Sequence, residues 1–326
     1  MASRKLWGAP LLAADWENLN YEEHQASWWE LFVDLVLVVT CSTVAEKFEE
    51  DMIEGVSGCL WPFLVTYAIC FSGWVMYTTF SSRFIDNSLL HSVQLFIYLM
   101  ATCYMVTNTS GFEFAQDFAW SAIVQRCSML FMYLTLAIQV PKARNYCFWV
   151  CSLMLGGIAF LYTAAVTPDE EESGMFLKMA ALWECILVYP IMYVLVRWSG
   201  RVKLIALNID HNTERMGCCV MVILGESVVS ALINYHKIDP VRTPIYLQAM
   251  GLSMCLTFAL ALIFFALKPP RHMHALRRSG LTGICFTIIH LFLTASLLAL
   301  GVGVKLAMHT ILQPEIGRGK MPPGGG

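Results

Sequence analysis

Glu226 sits near the middle of an otherwise apolar stretch, residues 216–235 (MGCCVMVILGESVVSALINY), between Gly225 and Ser227. An ionisable group is costly inside a hydrocarbon layer and points to function by default. Arg126 and Glu184 fall at comparable depth, near the centres of the apolar segments 115–140 and 174–197. A guanidinium keeps its proton in proteins, and an unpaired one costs about 2.5–3.5 kcal/mol or more to insert. Arg126 therefore needs a carboxylate, and Glu184 and Glu226 are both candidates. The one not used to neutralise Arg126 is left to exchange a proton. The opposing reading is a closed ion pair that only specifies helix packing.

A second group of polar residues lies nearer one end of the apolar segments. Glu30 and Asp34 are spaced i, i+4, so they share one face of a helix. Two carboxylates that close cannot both ionise easily, so the pair can hold a proton, bind a cation or accept an arginine. Equally, Glu30 can cap a helix start, where the dipole favours a negative charge. His211, Glu214 and Arg215 enter a later helix from the same side. Adjacent helical residues do not face each other, so Glu214 and Arg215 each need a partner elsewhere. Arg215 is placed to meet Asp34 or Glu30. His211, Glu214 and His91 together would make a donor set for a metal, but CxxC and HExxH spacings are missing. No metal and no cofactor is expected. His290, alone among apolar neighbours, reads as a hydrogen-bonded packing residue before it reads as a proton relay. Lys305, in the last helix, reads as a lysine snorkelling at the outer end, with no further cue to a Schiff base.

The elements that position these groups follow from composition. Of 326 residues, 57% are hydrophobic and 14% charged, and the mean hydropathy is +0.60. A soluble domain carries closer to a quarter charged residues. The apolar residues fall in runs of about 20, enough to span about 30 Å of hydrocarbon as helix. The net charge of -3 is spread along the chain and argues against nucleic acid. Most of the twelve cysteines lie inside apolar runs and read as small hydrophobes. Residues 1–27 contain Glu17, Glu22 and Glu23 and show no signal-peptide pattern.

The sequence predicts an all-α, polytopic bundle of about nine spans, over about 28–46, 59–82, 88–108, 115–140, 145–166, 174–197, 214–235, 244–267 and 281–306. Residues 1–27 form an N-terminal segment, 28–306 the membrane domain, and 307–326 a disordered or truncated tail. Even-numbered connections carry Arg83, then Lys142 and Arg144, then Arg197, Arg201 and Lys203, then Lys268, Arg271, Arg277 and Arg278. Odd-numbered ones are acidic, as with Asp169, Glu170, Glu171 and Glu172, except for the connection with Lys237 and Arg242. The positive-inside rule then puts the N-terminus in the cytoplasm. Trp28, Trp29, Trp61, Trp149 and Trp198 read as interfacial anchors, and Gly156-Gly157 and Gly301-x-Gly303 as close helix approaches.

Several ordered motifs resemble one family. Trp29-Glu30-Leu31-Phe32-Val33-Asp34-Leu35-Val36 is similar to the opening signature of the low-temperature-requirement A (LtrA) membrane proteins. Tyr77…Arg83-Phe84-Ile85-Asp86, Phe118-Ala119…Arg126 and His290-Leu291…Gly301-Val302-Gly303 resemble later segments, with Ser81 and Ser82 departing from the pattern. His211-Asn212-Thr213-Glu214-Arg215 followed by Leu224-Gly225-Glu226-Ser227 resembles the H-x-x-E-R…L-G-E-S signature. The resemblance covers about 24–308 and implies fold more than activity. Helix one also lays over helix seven without gaps, Glu30 on Glu214, Val36 on Val220 and Thr43 on Ser227. If that reflects a repeat, it is a parallel one.

The leading expectation is a transporter or ion/proton-coupled permease using Glu226, Asp34, Glu30, Glu214 and Arg126 as a polar path. The alternative is a non-transporting assembly factor, receptor or sensor with structural ion pairs. A cofactor-binding enzyme built on His211, His91 and His290 ranks third. Expected partners are membrane lipid and a small solute or ion, and a homo-oligomer is compatible with the pattern.

Overall fold

In hydrocarbon every backbone N–H and C=O must be bonded within its own segment, so apolar runs bounded by Pro, Gly and charge become helices. The computed structural model describes residues 10–12, 28–86, 88–109, 115–199, 205–232, 243–267, 269 and 273–312. A short strand β1 (Leu11–Leu12) precedes α1 (Trp28–Ile53) and α2 (Leu60–Ser81). Strand β2 (Phe84–Ile85) follows, then α3 (Leu89–Thr107), α4 (Ala115–Gln139) and α5 (Arg144–Val166). Next come α6 (Glu170–Leu182), a π-helical turn (Trp183–Leu187) and α7 (Val188–Ser199). The chain ends in α8 (Ile209–Leu232), α9 (Thr243–Ala266), a single turn α10 (Ala275–Arg278) and α11 (Gly280–Leu312).

The all-α multi-pass bundle is the fold found. Among the described residues, seven helical segments are long and apolar enough to cross a membrane: α2, α3, α4, Pro141–Val166, Glu170–Trp198, α9 and Gly280–Met308. Helices α1 and α8 match them in length, at 26 and 24 residues. They carry the charges in question: Glu30 and Asp34 in α1, Glu214, Arg215 and Glu226 in α8. Each of the nine stretches expected to span is helical over most of its length.

The bundle is apolar outside as well as inside. Phe96, Phe131, Leu252 and Phe258 are more than half exposed on helix exteriors, as lipid-facing residues are. Trp28, Trp61 and Trp198 are largely exposed near helix ends, the placement of interfacial anchors. Inside, α8 packs on α1 and α11, while α4 packs between α3 and α5. All twelve cysteines are free thiols.

Boundaries depart from expectation for local reasons. Helix α1 runs on to Ile53, because Lys47 meets Glu50 and Asp51 at i+3 and i+4 and supports two further turns. Helix α8 starts at Ile209, earlier than the predicted 214, because the Asn208 side chain accepts the His211 N–H and caps it. Helix α11 continues to Leu312, past the predicted 306. The sixth predicted span is broken in character: Pro190 has no N–H to offer the Ile186 carbonyl, and the preceding turn widens so that Val188 N–H bonds Trp183 O.

One end of the bundle is tied together. Strand β1 pairs antiparallel with β2, Leu11 opposite Ile85 and Leu12 opposite Phe84. Asn208 N–H, just ahead of α8, bonds Ser82 O, just after α2. The same end holds the starts of α1 and α8. The expectations for Glu17, Glu22, Glu23, Arg201, Lys203, Lys237, Arg242, Lys268, Arg271 and the tail from 313 lie outside the described residues.

Candidate functional site

The first polar cluster joins α1, α2 and α8. Glu30 and Asp34 share the inward face of α1, 3% and 6% exposed. The His211 Nε2 lies 3.0 Å from Glu30 Oε1. Arg215, one turn beyond His211, is 1% exposed. Its Nη1 donates to Asp34 Oδ2 at 2.5 Å and to the Glu30 carbonyl at 2.9 Å. The indole of Trp74 on α2 donates to the second Asp34 oxygen at 2.9 Å, and its ring centroid lies 5.8 Å from the Arg215 guanidinium carbon. The i, i+4 carboxylates therefore do accept an arginine, and Glu30 is a binding partner more than a helix cap. Arg215 Nε and Nη2 are buried with no hydrogen-bond partner among the described residues. The His91 ring stacks against Tyr77 and Phe80.

The second cluster lies on the other side of α2 and joins α4 to the π turn. Arg126 Nε donates to Glu184 Oε1 at 3.0 Å, and Nη2 donates to Oε2 at 2.8 Å. This two-pronged geometry is the strongest form of the pair. Ser72 Oγ sits 2.7 Å from both Arg126 Nη2 and Glu184 Oε2, and Nη2 also donates to Ile69 O. Arg126 Nη1 bonds Gln125 Oε1, and the Gln125 amide donates to Thr102. Two glycines make the room. A Cβ at Gly73 of α2 would come within 2.7 Å of Arg126 Nη1, and one at Gly157 of α5 within 2.8 Å of Glu184 Oε1. The neighbouring Gly156 faces the Trp183 ring, so the Gly156-Gly157 approach is a real one.

Glu184 is thus the carboxylate that neutralises Arg126, and Glu226 stands apart from that pair. Glu226 is 6% exposed, on the α8 face turned to α1, within electrostatic reach of Cys41. Ser227 beside it packs on α11 at Gly301, where a Cβ would lie 2.6 Å from Ser227 Oγ. Gly303 has open space around it and makes no such approach.

The remaining predicted residues are scattered. Glu214 is exposed on α8 and joins neither cluster, whereas Glu30, which the helix overlay matches to it, is buried. His290 is buried, its Nδ1 2.7 Å from Phe286 O and its ring against Phe286 and Phe264, the packing role expected. Lys305 does not snorkel: it is 12% exposed and lies 2.5 Å from Glu49 of α1. Among the described residues no group of three His, Cys, Asp or Glu is arranged to hold a metal.

Sequence reasoning missed Ser72, Gln125 and Trp74, because neutral polar side chains in an apolar run carry no charge signal. The π turn had one: Pro190, six residues after Glu184.

The family model described as bacterial low temperature requirement A protein (LtrA) matches residues 25–320. No curated protein and no solved structure matches the chain.

Proposed function

Because the chain belongs to the LtrA family of membrane proteins, and because its charged residues are gathered inside the helix bundle, we propose that it is a transporter or ion/proton-coupled permease. The observation that carries the reading is the buried cluster of Glu30, Asp34, His211 and Arg215 between α1, α2 and α8. Four ionisable groups at one membrane depth are costly to keep unless they are used. Glu226 lies about 16 Å further along α8 at about 1.5 Å per residue. It is buried on the α8 face turned to α1, and protonation there would be the coupling step. The basic connections around Arg83, Lys142 and Arg197 support a cytoplasmic N-terminus, and the four-residue cluster would then open toward that side.

Reconstituted into proteoliposomes, wild-type protein should carry proton flux under an imposed pH gradient, and a folded Glu226→Gln variant should lose it. Equal flux in both would remove Glu226 from the pathway.

The second reading is a non-transporting assembly factor, receptor or sensor. It is favoured by the Arg126–Glu184 pair, which is satisfied by Ser72, Gln125 and the Ile69 carbonyl and has the closed form of a packing device. Under it, Glu226→Gln would lower folded yield and no flux would be seen in either protein.

A further inference from the structure

On the side of α2 away from Asp34, a cavity of about 170 Å³ lies between α2, α4, α5 and the π turn leading into α7. Engineered apolar cavities of about 150 Å³ hold a benzene molecule, so an aryl-sized body fits here. The walls are mostly apolar, with Tyr133, Tyr146 and Tyr189 among them and few polar groups. That is the usual makeup of a small-molecule site.

The charge inventory of the cavity selects its occupant. Glu184 and Ser72 line it at one place, but Glu184 is already neutralised by Arg126 through two hydrogen bonds. It makes no demand for a cation. Arg83 also lines the cavity, immediately beyond the end of α2. Its Nε and Nη1 are buried and have no hydrogen-bond partner among the described residues. Its guanidinium carbon lies 5.3 Å from the centroid of the Tyr146 ring, a cation–π contact that holds the group in place without using those donors. Leaving charged donors buried and unbonded is expensive, and an acceptor anion in the cavity would satisfy them at full strength.

We propose that this cavity binds a small organic monoanion, a carboxylate on an aryl-sized apolar body, with the carboxylate on Arg83 and the body between Tyr133, Tyr146 and Tyr189. The arrangement puts the charged end at the end of α2, near the membrane surface, and the apolar body deeper in the bundle. Binding requires no gradient and no passage across the membrane.

Three near-isosteric probes test it on the purified full chain in phosphatidylcholine nanodiscs: benzoate, the neutral benzamide and the cationic benzamidine. Calorimetry should show benzoate binding at least about tenfold more tightly than benzamide, the weight of one charge-assisted hydrogen bond, and no binding of benzamidine. Arg83→Gln should remove the preference for benzoate. Leu153→Trp, which fills the cavity from α5 without touching Arg83, should weaken benzoate and benzamide alike. Should Arg83→Gln fail to fold, Arg83→Lys keeps the charge, and Leu153→Trp carries the test alone. Equal affinity for benzoate and benzamide, or benzoate binding unchanged by Leu153→Trp, would overturn the proposal. So would a benzoate preference that a folded Arg83→Gln leaves unchanged.

Discussion

Arg126 and Glu184 show how a buried charge is tolerated in this molecule. Both side chains are almost wholly enclosed, 1% and 2% exposed, and every charged atom pair is bonded to the partner, to Ser72, to Gln125 or to a carbonyl. Removing one partner leaves the other charge stranded, at about 3–5 kcal/mol, while replacing both with apolar residues of similar volume is often neutral or stabilising. Arg126→Met or Glu184→Met alone should therefore lower the detergent-solubilised melting temperature sharply. The double variant should recover most of that loss. A double variant as unstable as the worse single would mean the pair has a role the helices need beyond neutralisation. The Arg215 cluster is different, since Nε and Nη2 of Arg215 are buried without hydrogen-bond partners among the described residues. That difference supports keeping Asp34 and Glu30 in the proposed path, whereas Arg126 and Glu184 lie on the other side of α2.

At the scale of elements, α2 is the wall between the two clusters. Ser72 and Trp74 are two residues apart, so they leave the helix on different faces and serve Glu184 and Asp34 respectively. The π turn at Trp183–Leu187 does comparable work on the other side. It adds a residue to one turn of the α6–α7 span and turns Glu184 into the bundle, where Gly157 of α5 leaves space for it. Gly157→Ala should place a methyl 2.8 Å from Glu184 Oε1 and destabilise by about 1–3 kcal/mol, the usual cost of overpacking. Gly303→Ala, with nothing within 4 Å, should be neutral or gain about 0.5–1 kcal/mol from helix propensity. Parallel thermal melts of the two variants check this, and equal losses would show that the close approach at Gly157 is not a constraint.

For the whole molecule, the testable quantity is orientation. Placing the N-terminus in the cytoplasm predicts that a cysteine at Lys142, between α4 and α5, is labelled by an impermeant maleimide only from the cytoplasmic face. One at Glu171, at the start of α6, should be labelled only from the opposite face. The background is a variant lacking its exposed native thiols, Cys103, Cys127, Cys218, Cys255 and Cys285. Labelling of both from one face would break the alternation on which the nine-span reading rests.

The division between what the chain announces and what folding decides runs through particular residues. Apolar runs near 20 residues long dictate transmembrane helices, because no other local structure satisfies the backbone in lipid, and the ordered motifs around Asp34, Arg126, His211 and Glu226 carry the family. The i, i+4 spacing of Glu30 and Asp34 puts both on one face by helix geometry alone. Which carboxylate Arg126 would choose was open, since Glu184 and Glu226 lie at similar depth and a one-dimensional sequence has no record of which helices are neighbours. Packing settled it: Gly73, Gly157 and the turn before Pro190 bring Glu184 to Arg126, while α8 turns Glu226 toward α1. The same limit explains Glu214 and Lys305. Glu214 looks as buried as Glu30 in the overlay and is exposed, and Lys305 looks free to snorkel and is held by Glu49. Burial is a property of the neighbours a residue acquires, and those are chosen only when the helices pack.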